Sequence, residues 1–293
     1  MFNSQEGEVR VITAYAPVST PVPTACCAGG VFDRWSLRRV YYRAASCLGS
    51  KAQLIPGATL MYALILAGGK GERLRPLTDT LPKPMVPVCD KPILWHQVQW
   101  LKAAGVTDVV FLAGYRWQAI QDYFGDGHEF GIRAHYSVED SPLGRGGAIR
   151  KGFPLVPEDE DPVVVLNGDI ITSEPLESLA ALYQDKKKDD PSHLATIMVV
   201  PFVSPYGLVD MNSADDVVGF REKAPLPHWI NAGIYLFDRR IASVLPELGD
   251  HETETFPRLA EAGKISALKS EAFWRSVDSF KDLREVEEYL SSR

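Results

Sequence analysis

The feature that most constrains this chain is a strand-like run that breaks into glycines. Residues 62–67, YALILA, are apolar on both faces, as in a strand covered on each side of a parallel sheet. Gly68, Gly69 and Gly71 follow at once. Glycines leave backbone N–H groups free to face an anion. Arg73 and Lys83 add two positive charges within reach of the same loop. A strand, a glycine turn and two cations together make a place for a polyphosphate.

Two common glycine patterns do not fit. A P-loop ends in Gly-Lys-Ser/Thr, which is missing here. A dinucleotide fingerprint needs G-x-G-x-x-G. Gly69 and Gly71 match its first two positions, but Leu74 stands at the third, which disfavours an NAD-binding oxidoreductase.

Further along, residues 108–114, 133–138 and 162–169 read as strands rich in Val, Ile and Leu. Between them, Leu94, Val98 and Leu101 share one helix face, with Gly105 as a stop, and Trp117 to Phe124 reads as a second helix. This succession predicts an α/β fold with a doubly wound, mostly parallel, Rossmann-like sheet. Residues 195–202, 207–212, 216–223 and 231–237 read as strands with little helix between them. They predict a mixed or antiparallel insertion beside the first sheet. Residues 256–262 and 280–290 read as helices, and DKKKDD (185–190) as a solvated loop.

The full pattern is G-G-x-G-x-R-L-x-P-x-T…P-K-P-M-x-P-V…K-P, with about a dozen specified positions. It resembles the signature of the sugar-1-phosphate nucleotidylyltransferases, and the likeness extends from residue 61 to about 290. The resemblance implies that Ala67, Gly68, Gly69 and Gly71 lie against a nucleoside triphosphate, with Arg73 and Lys83 on its phosphates. Asn167-Gly168-Asp169 closes a Val-rich strand, where ligands sit in open α/β sheets. Gly168 there would let a ligand approach, and Asp169 resembles the family's metal-binding aspartate. Mg²⁺ is the implied cofactor, since a hard cation prefers oxygen ligands.

A second carboxylate is expected at Asp278, four residues after Trp274. Many family members have W-x-D-x-G, but this chain has Ser276 at that aspartate and looks more like a W-x-x-x-D-S/T variant. The alternative is that Asp278 or Ser279 caps the last helix. S-P-L-G-R-G-G-A-I (141–149) resembles a loop that touches the base through Gly144, or it is a glycine-rich helix start. Arg145 replaces the usual threonine, and nothing in the sequence explains it. Tyr206-Gly207, Glu222-Lys223 and Asn231-Ala232-Gly233 resemble the family's sugar-phosphate positions. By residue type, Glu222 can accept two sugar hydroxyls, Lys223 can pair with a phosphate, and Asn231 can donate and accept.

Glu139 follows the third strand, near a position where thymine- and uracil-using relatives commonly carry glutamine. An ionised carboxylate only accepts, and guanine presents N1–H and N2–H₂ side by side. GTP is therefore expected over UTP or dTTP, with mannose 1-phosphate or a related sugar phosphate as co-substrate. The alternatives are a UTP- or dTTP-dependent glucose-1-phosphate enzyme, and a catalytically silent regulatory subunit that binds sugar nucleotides. The bland reading of Glu139 is that it faces solvent or caps the neighbouring loop.

Charge divides the chain at Met61. Residues 1–60 carry a net charge of +3, while the whole chain carries −7. They also hold Cys26, Cys27 and Cys47 without zinc-like spacing. They read as a start called too far upstream, as a loosely packed extension or, least in keeping with Glu6 and Glu8, as a transit segment. Residues 61–293 are expected to form the working domain, and the chain ends too soon after the last helix for an appended hexapeptide-repeat domain. The acidic balance argues against a nucleic-acid partner, and no apolar run reaches membrane-spanning length. A reducing, cytoplasmic setting is the default, and homo-oligomer formation is left open.

Overall fold

The computed structural model describes residues 62–293, and the expectations for residues 1–60 and a start at Met61 lie outside the described residues. The β-strands, in chain order, are β1 (Tyr62–Ala67), β2 (Pro87–Val88), β3 (Lys91–Pro92), β4 (Asp108–Ala113), β5 (Arg133–Val138), β6 (Val163–Asn167), β7 (Ile170–Thr172), β8 (Ala195–Val203), β9 (Leu208–Met211), β10 (Val217–Arg221), β11 (Pro225–Phe237), β12 (Ile265–Lys269) and β13 (Trp274–Ser276). The helices are α1 (Ile93–Ala103), α2 (Gln118–Phe124), α3 (Gly144–Gly152), α4 (Leu176–Asp189), α5 (His251–Glu261) and α6 (Phe280–Ser291).

Seven strands form the main sheet in the order β12-β8-β11-β6-β1-β4-β5. β6, β1, β4 and β5 run parallel, while β11 is antiparallel to both β6 and β8. Strand periodicity explains the two-sided core. Ala63, Ile65 and Ala67 of β1 face a cluster built with α1, α2 and α4. Leu64 faces the opposite cluster, which contains Ala148 and Ile149 of α3 and Leu259 of α5. Helices therefore cover both faces, as the doubly wound reading requires. Among the described residues, no helix is long and apolar enough to cross a membrane.

Two expectations need correction. Residues 195–202 and 231–237 lie within the main sheet, because β11 pairs with the Val-rich β6 on one side and with β8 on the other. Of the four strands expected in the insertion, only β9 and β10 lie outside the main sheet, as an antiparallel hairpin. The DKKKDD run is no loop, since most of it is the last turn of α4. Leu176, Leu179, Ala180 and Tyr183 anchor that helix on the sheet. Lysines in a last turn also complement the helix dipole. Lys187 lies over the Tyr183 ring and contacts Asp238.

Register sets up the site. Leu66 pairs with Asn167, Ala67 with Ala113, and Ala113 with Val138. The carboxyl ends of β6, β1, β4 and β5 thus open on one edge. The glycine loop, the Gly168-Asp169 turn and Glu139 all leave the sheet there.

Candidate active site

The glycine loop leaves β1 and is shaped by its own neighbours. Gly71 has φ 65°, and a Cβ there would sit 2.7 Å from Lys83 Cβ. Only glycine fits that conformation and that contact. The Thr78 hydroxyl donates to Gly71 O at 2.8 Å and pins the turn. The loop therefore brings Lys83 beneath it.

Gly168 is constrained by packing. A Cβ there would lie 2.5 Å from Leu66 O, and Gly168 N donates to that carbonyl at 2.9 Å. Close approach to β1 thus demands glycine here, and Gly168 also lines the cleft, where a ligand was expected to approach. The turn is also held from behind by Gln97, which sequence reasoning missed. The Gln97 amide nitrogen donates to Asn167 O at 2.8 Å and to Ile170 O at 2.9 Å, and so spans Asp169 from both sides. The signal was a lone glutamine on the apolar face of α1, where Gln97 is only 3% exposed.

Asp169 and Asp278 are far apart in sequence and adjacent in space. β7 begins just after Asp169, β13 ends just before Val277, and the two strands pair antiparallel, with Ser276 opposite Ile170. Val277 N donates to Asp169 O at 2.8 Å. Val277 itself is buried with Leu74, Val86, Ile93 and Val286, which fastens the hairpin and α6 to the glycine-loop side. Ser279 is the N-cap of α6, and its hydroxyl accepts from Asp282 N. Asp278 is therefore released from capping and turns toward the loop.

Lys83 joins the two carboxylates. Its ammonium donates to Asp169 Oδ2 at 2.5 Å and to Asp278 Oδ1 at 2.6 Å. Arg73, on the exposed rim, reaches the same Asp278 oxygen at 2.6 Å. Burial works against the charge on Lys83, but the charges and hydrogen bonds of Asp169 and Asp278 outweigh it and raise its pKa. Burial pushes Asp278 up, but Lys83, the Ser276 hydroxyl and Arg73 together hold its carboxyl below the ordinary value.

Asp169 Oδ1 is buried and has no hydrogen-bond partner. An orphaned carboxylate oxygen beside a second carboxylate fits a hard cation. Among the described residues no group of three or more His, Cys, Asp or Glu side chains gathers as a metal cage. The pair instead suits an ion that keeps water or phosphate oxygens in its shell.

Lys83 and Asp169 line a cleft of about 340 Å³, together with Gly68, Gly69, Glu139, Gly144, Arg145, Asn167 and Gly168. Asp278 reaches it through its contact with Lys83, and Arg73 through its contact with Asp278. Glu139 thus faces the cleft and also accepts from the Leu143 backbone. Burial pushes its carboxyl up, against smaller opposing effects from Leu143 N–H and Lys151. Gly144 lines the cleft and is also the first residue of α3, so the helix start is there whether or not the loop touches a base.

Tyr206, Gly207, Glu222, Lys223 and Asn231 do not line this cleft. Tyr206-Gly207 and Glu222-Lys223 flank the β9–β10 hairpin, where Tyr206 is 78% exposed. The two pairs do meet, because a Cβ on Gly207 would lie 3.0 Å from a Glu222 carboxylate oxygen. Asn231 lies on β11. Its amide donates to the Tyr235 hydroxyl at 2.8 Å, and its carbonyl accepts from Gly233 N at 3.0 Å.

An open, doubly wound sheet with a glycine loop, a buried lysine and two carboxylates at its carboxyl edge defines a nucleotide-handling α/β protein. Residues 62–293 match the family described as nucleotidyl transferase, and the chain belongs to that family. It is 38% identical over 234 residues to a mannose-1-phosphate guanyltransferase of Aspergillus fumigatus, and 34% identical over 228 residues to mannose-1-phosphate guanyltransferase 2 of Candida glabrata. Each match covers 76% of this chain and 62% of the relative, so the chain spans about three fifths of the length of these curated proteins. Among solved structures, HddC from Yersinia pseudotuberculosis is similar with a TM-score of 0.62 at 24% identity, over 79% of this chain and all of that one. That likeness is one of fold.

Proposed function

We propose that the chain condenses a nucleoside triphosphate with a sugar 1-phosphate to give a nucleotide sugar and pyrophosphate, with GTP and mannose 1-phosphate as substrates. The observation that carries this reading is the contact of Lys83 with both Asp169 and Asp278 at the mouth of the glycine-loop cleft. The names of the relatives at 34–38% identity support the choice of substrates.

A sugar phosphate oxygen attacks the α-phosphorus in line, and pyrophosphate leaves. No protein nucleophile is needed, so the residues position reactants and offset charge. The triphosphate lies along the N–H groups of Gly68, Gly69 and Gly71, with Arg73 on the rim. Lys83 faces the reacting phosphates and offsets charge that builds during transfer. Asp169 and Asp278 would hold Mg²⁺, which when bound supplies charge neutralisation between the two phosphates. Glu139, on the wall of the cleft, accepts from the base. Tyr206, Gly207, Glu222, Lys223 and Asn231 receive the sugar phosphate from the hairpin side.

Pyrophosphate release measured with four nucleoside triphosphates against mannose, glucose and heptose 1-phosphates tests this. GTP with mannose 1-phosphate should give the highest kcat/KM. Glu139→Gln should shift preference toward UTP or dTTP by about tenfold or more, since a site built for two donors rejects a base that lacks them. A preference for UTP or dTTP in the unaltered protein overturns the base assignment. Absence of turnover with every pair overturns the reaction.

A further inference from the structure

Arg145 is a charged cleft residue that the proposed reaction leaves without a task. It stands one residue into α3, at the point where the loop that carries Gly144 enters the cleft. A cation there invites a phosphate-binding role, but its donors are already committed. Arg145 Nε donates to Asp250 Oδ2 at 2.7 Å, and a second nitrogen meets the same oxygen at 2.5 Å. Arg145 also donates to Glu252 Oε1 at 2.6 Å. Two carboxylates outnumber one guanidinium, so this corner holds no surplus positive charge for a triphosphate.

The bonds lead elsewhere. Glu252 Oε1 also accepts from the Tyr235 hydroxyl at 3.1 Å, and Tyr235 accepts from the Asn231 amide at 2.8 Å. Tyr235 is fully buried, so its hydroxyl has few alternatives to these partners. Asn231 is one of the residues placed on the sugar phosphate. Its orientation is fixed at both ends, by Tyr235 and by Gly233 N. One amide hydrogen and one carbonyl lone pair remain for a ligand.

The two ends of this chain of bonds sit on a stiff frame. Gly249 O accepts from Gly146 N at 3.0 Å, and Gly249 N donates to Leu143 O at 2.9 Å. A Cβ on Gly144 would lie 2.4 Å from Gly249 O, so the two backbones are in direct contact. Asp250 also caps α5 by accepting from Glu252 N. A movement of the nucleotide loop therefore moves the segment that orients Glu252, and with it Tyr235 and Asn231.

We infer that Arg145 is a positioning residue that couples the nucleotide loop to the sugar-phosphate subsite through Glu252, Tyr235 and Asn231. This rests on the proposed transferase reading. Without Arg145, Glu252 has no cation and turns toward water, Tyr235 loses its acceptor, and the Asn231 amide is free to rotate. The defect then shows at the sugar phosphate, although the substituted residue lies on the nucleotide side.

The test is steady-state pyrophosphate release for Arg145→Met, Tyr235→Phe and the double variant, with melting temperatures alongside. Arg145→Met should raise KM for the sugar phosphate about tenfold and leave KM for the nucleotide within about twofold, a coupling in the ordinary range between linked sites. Tyr235→Phe should raise the same KM, and the double variant should be no worse than Arg145→Met alone, as expected of residues in one chain of bonds. Arg145→Lys should recover part of the loss, because one point charge can satisfy Glu252 but not both carboxylates. A fall in melting temperature with an unchanged sugar-phosphate KM overturns the coupling, as does a double variant whose two effects multiply. An unaltered chain that releases no pyrophosphate with any substrate pair fails at the earlier step and overturns the transferase reading itself.

Discussion

Lys83→Met keeps most of the length of the side chain and removes its charge. In the structure that charge is 12% exposed and is shared by Asp169 and Asp278, themselves 22% and 31% exposed. Breaking a fully buried pair costs about 3–5 kcal/mol. Water can reach both carboxylates here, which reduces the expected cost to about 1–3 kcal/mol. In a domain of this size that corresponds to a drop of about 2–12 °C in melting temperature. The freed carboxylates should then bind a divalent cation in place of the ammonium. Millimolar Mg²⁺ should therefore raise the melting temperature of the variant by more than it raises that of the unaltered protein.

Turnover should fall further than stability. The ammonium faces charge that develops during transfer, and loss of such a donor costs about 3 kcal/mol, or roughly a hundredfold in kcat. Lys83→Arg should recover little, because a planar fork cannot reproduce a point charge between two carboxylates. Differential scanning fluorimetry with and without Mg²⁺, paired with steady-state kinetics, measures both effects. An unchanged melting temperature with no added response to Mg²⁺ would show that the ion-pair argument is wrong. A change confined to KM for the nucleotide would remove Lys83 from the transfer step.

Three further outcomes are expected. Asp169→Ala should leave the fold intact and retain less than about a tenth of turnover at saturating Mg²⁺, and greater retention would contradict the metal assignment. Gln97→Leu should strand the Asn167 and Ile170 carbonyls at a cost of about 1–3 kcal/mol and raise the Mg²⁺ concentration needed for half-maximal activity. An unchanged Mg²⁺ requirement would reduce Gln97 to packing. His251 is fully buried near Tyr235 and Phe256, and burial lowers its pKa from 6.5 to about 4. The fold keeps it neutral while the unfolded chain takes up a proton below about pH 6.5, so stability is lost as pH falls from 6.5 toward 4. Urea denaturation at pH 7 and pH 5 should differ by up to about 2 kcal/mol from this group, and equal pH slopes for His251→Phe and the unaltered chain would refute it.

The parallel half of the sheet was legible because apolar runs and short helical patterns alternate from residue 62 to residue 167. β8 and β11 were legible as strands but not as members of that sheet. Pairing partners are not written in a strand's composition, and β11 enters antiparallel to β6. Local motif spacing singled out Lys83, Asp169 and the glycine loop, which the structure brings to one cleft. Gln97 and Arg145 escaped for a different reason. Gln97 acts through backbone carbonyls about 70 residues away, and Arg145 through carboxylates more than 100 residues away. Neither neighbourhood exists until the chain has folded.

Asp278 reaches Lys83 from two residues beyond the place that the common pattern gives its aspartate. The common pattern places an aspartate two residues after the tryptophan, where this chain has Ser276. Ser276 sits in β13 opposite Ile170, and its hydroxyl donates to Asp278 Oδ2 at 3.0 Å. The Trp274 indole donates to Ala232 O at 2.9 Å, which fixes the strand against β11. Val277, buried beyond the strand's end, turns the chain so that the next side chain comes back toward the loop. The carboxylate thus arrives at Lys83 from just past the strand rather than from within it, and the serine left in the strand braces it. On this geometry, Ser276→Asp would place two carboxylates side by side and crowd like charge against Lys83. Ser276→Ala removes only the brace and should be the milder change.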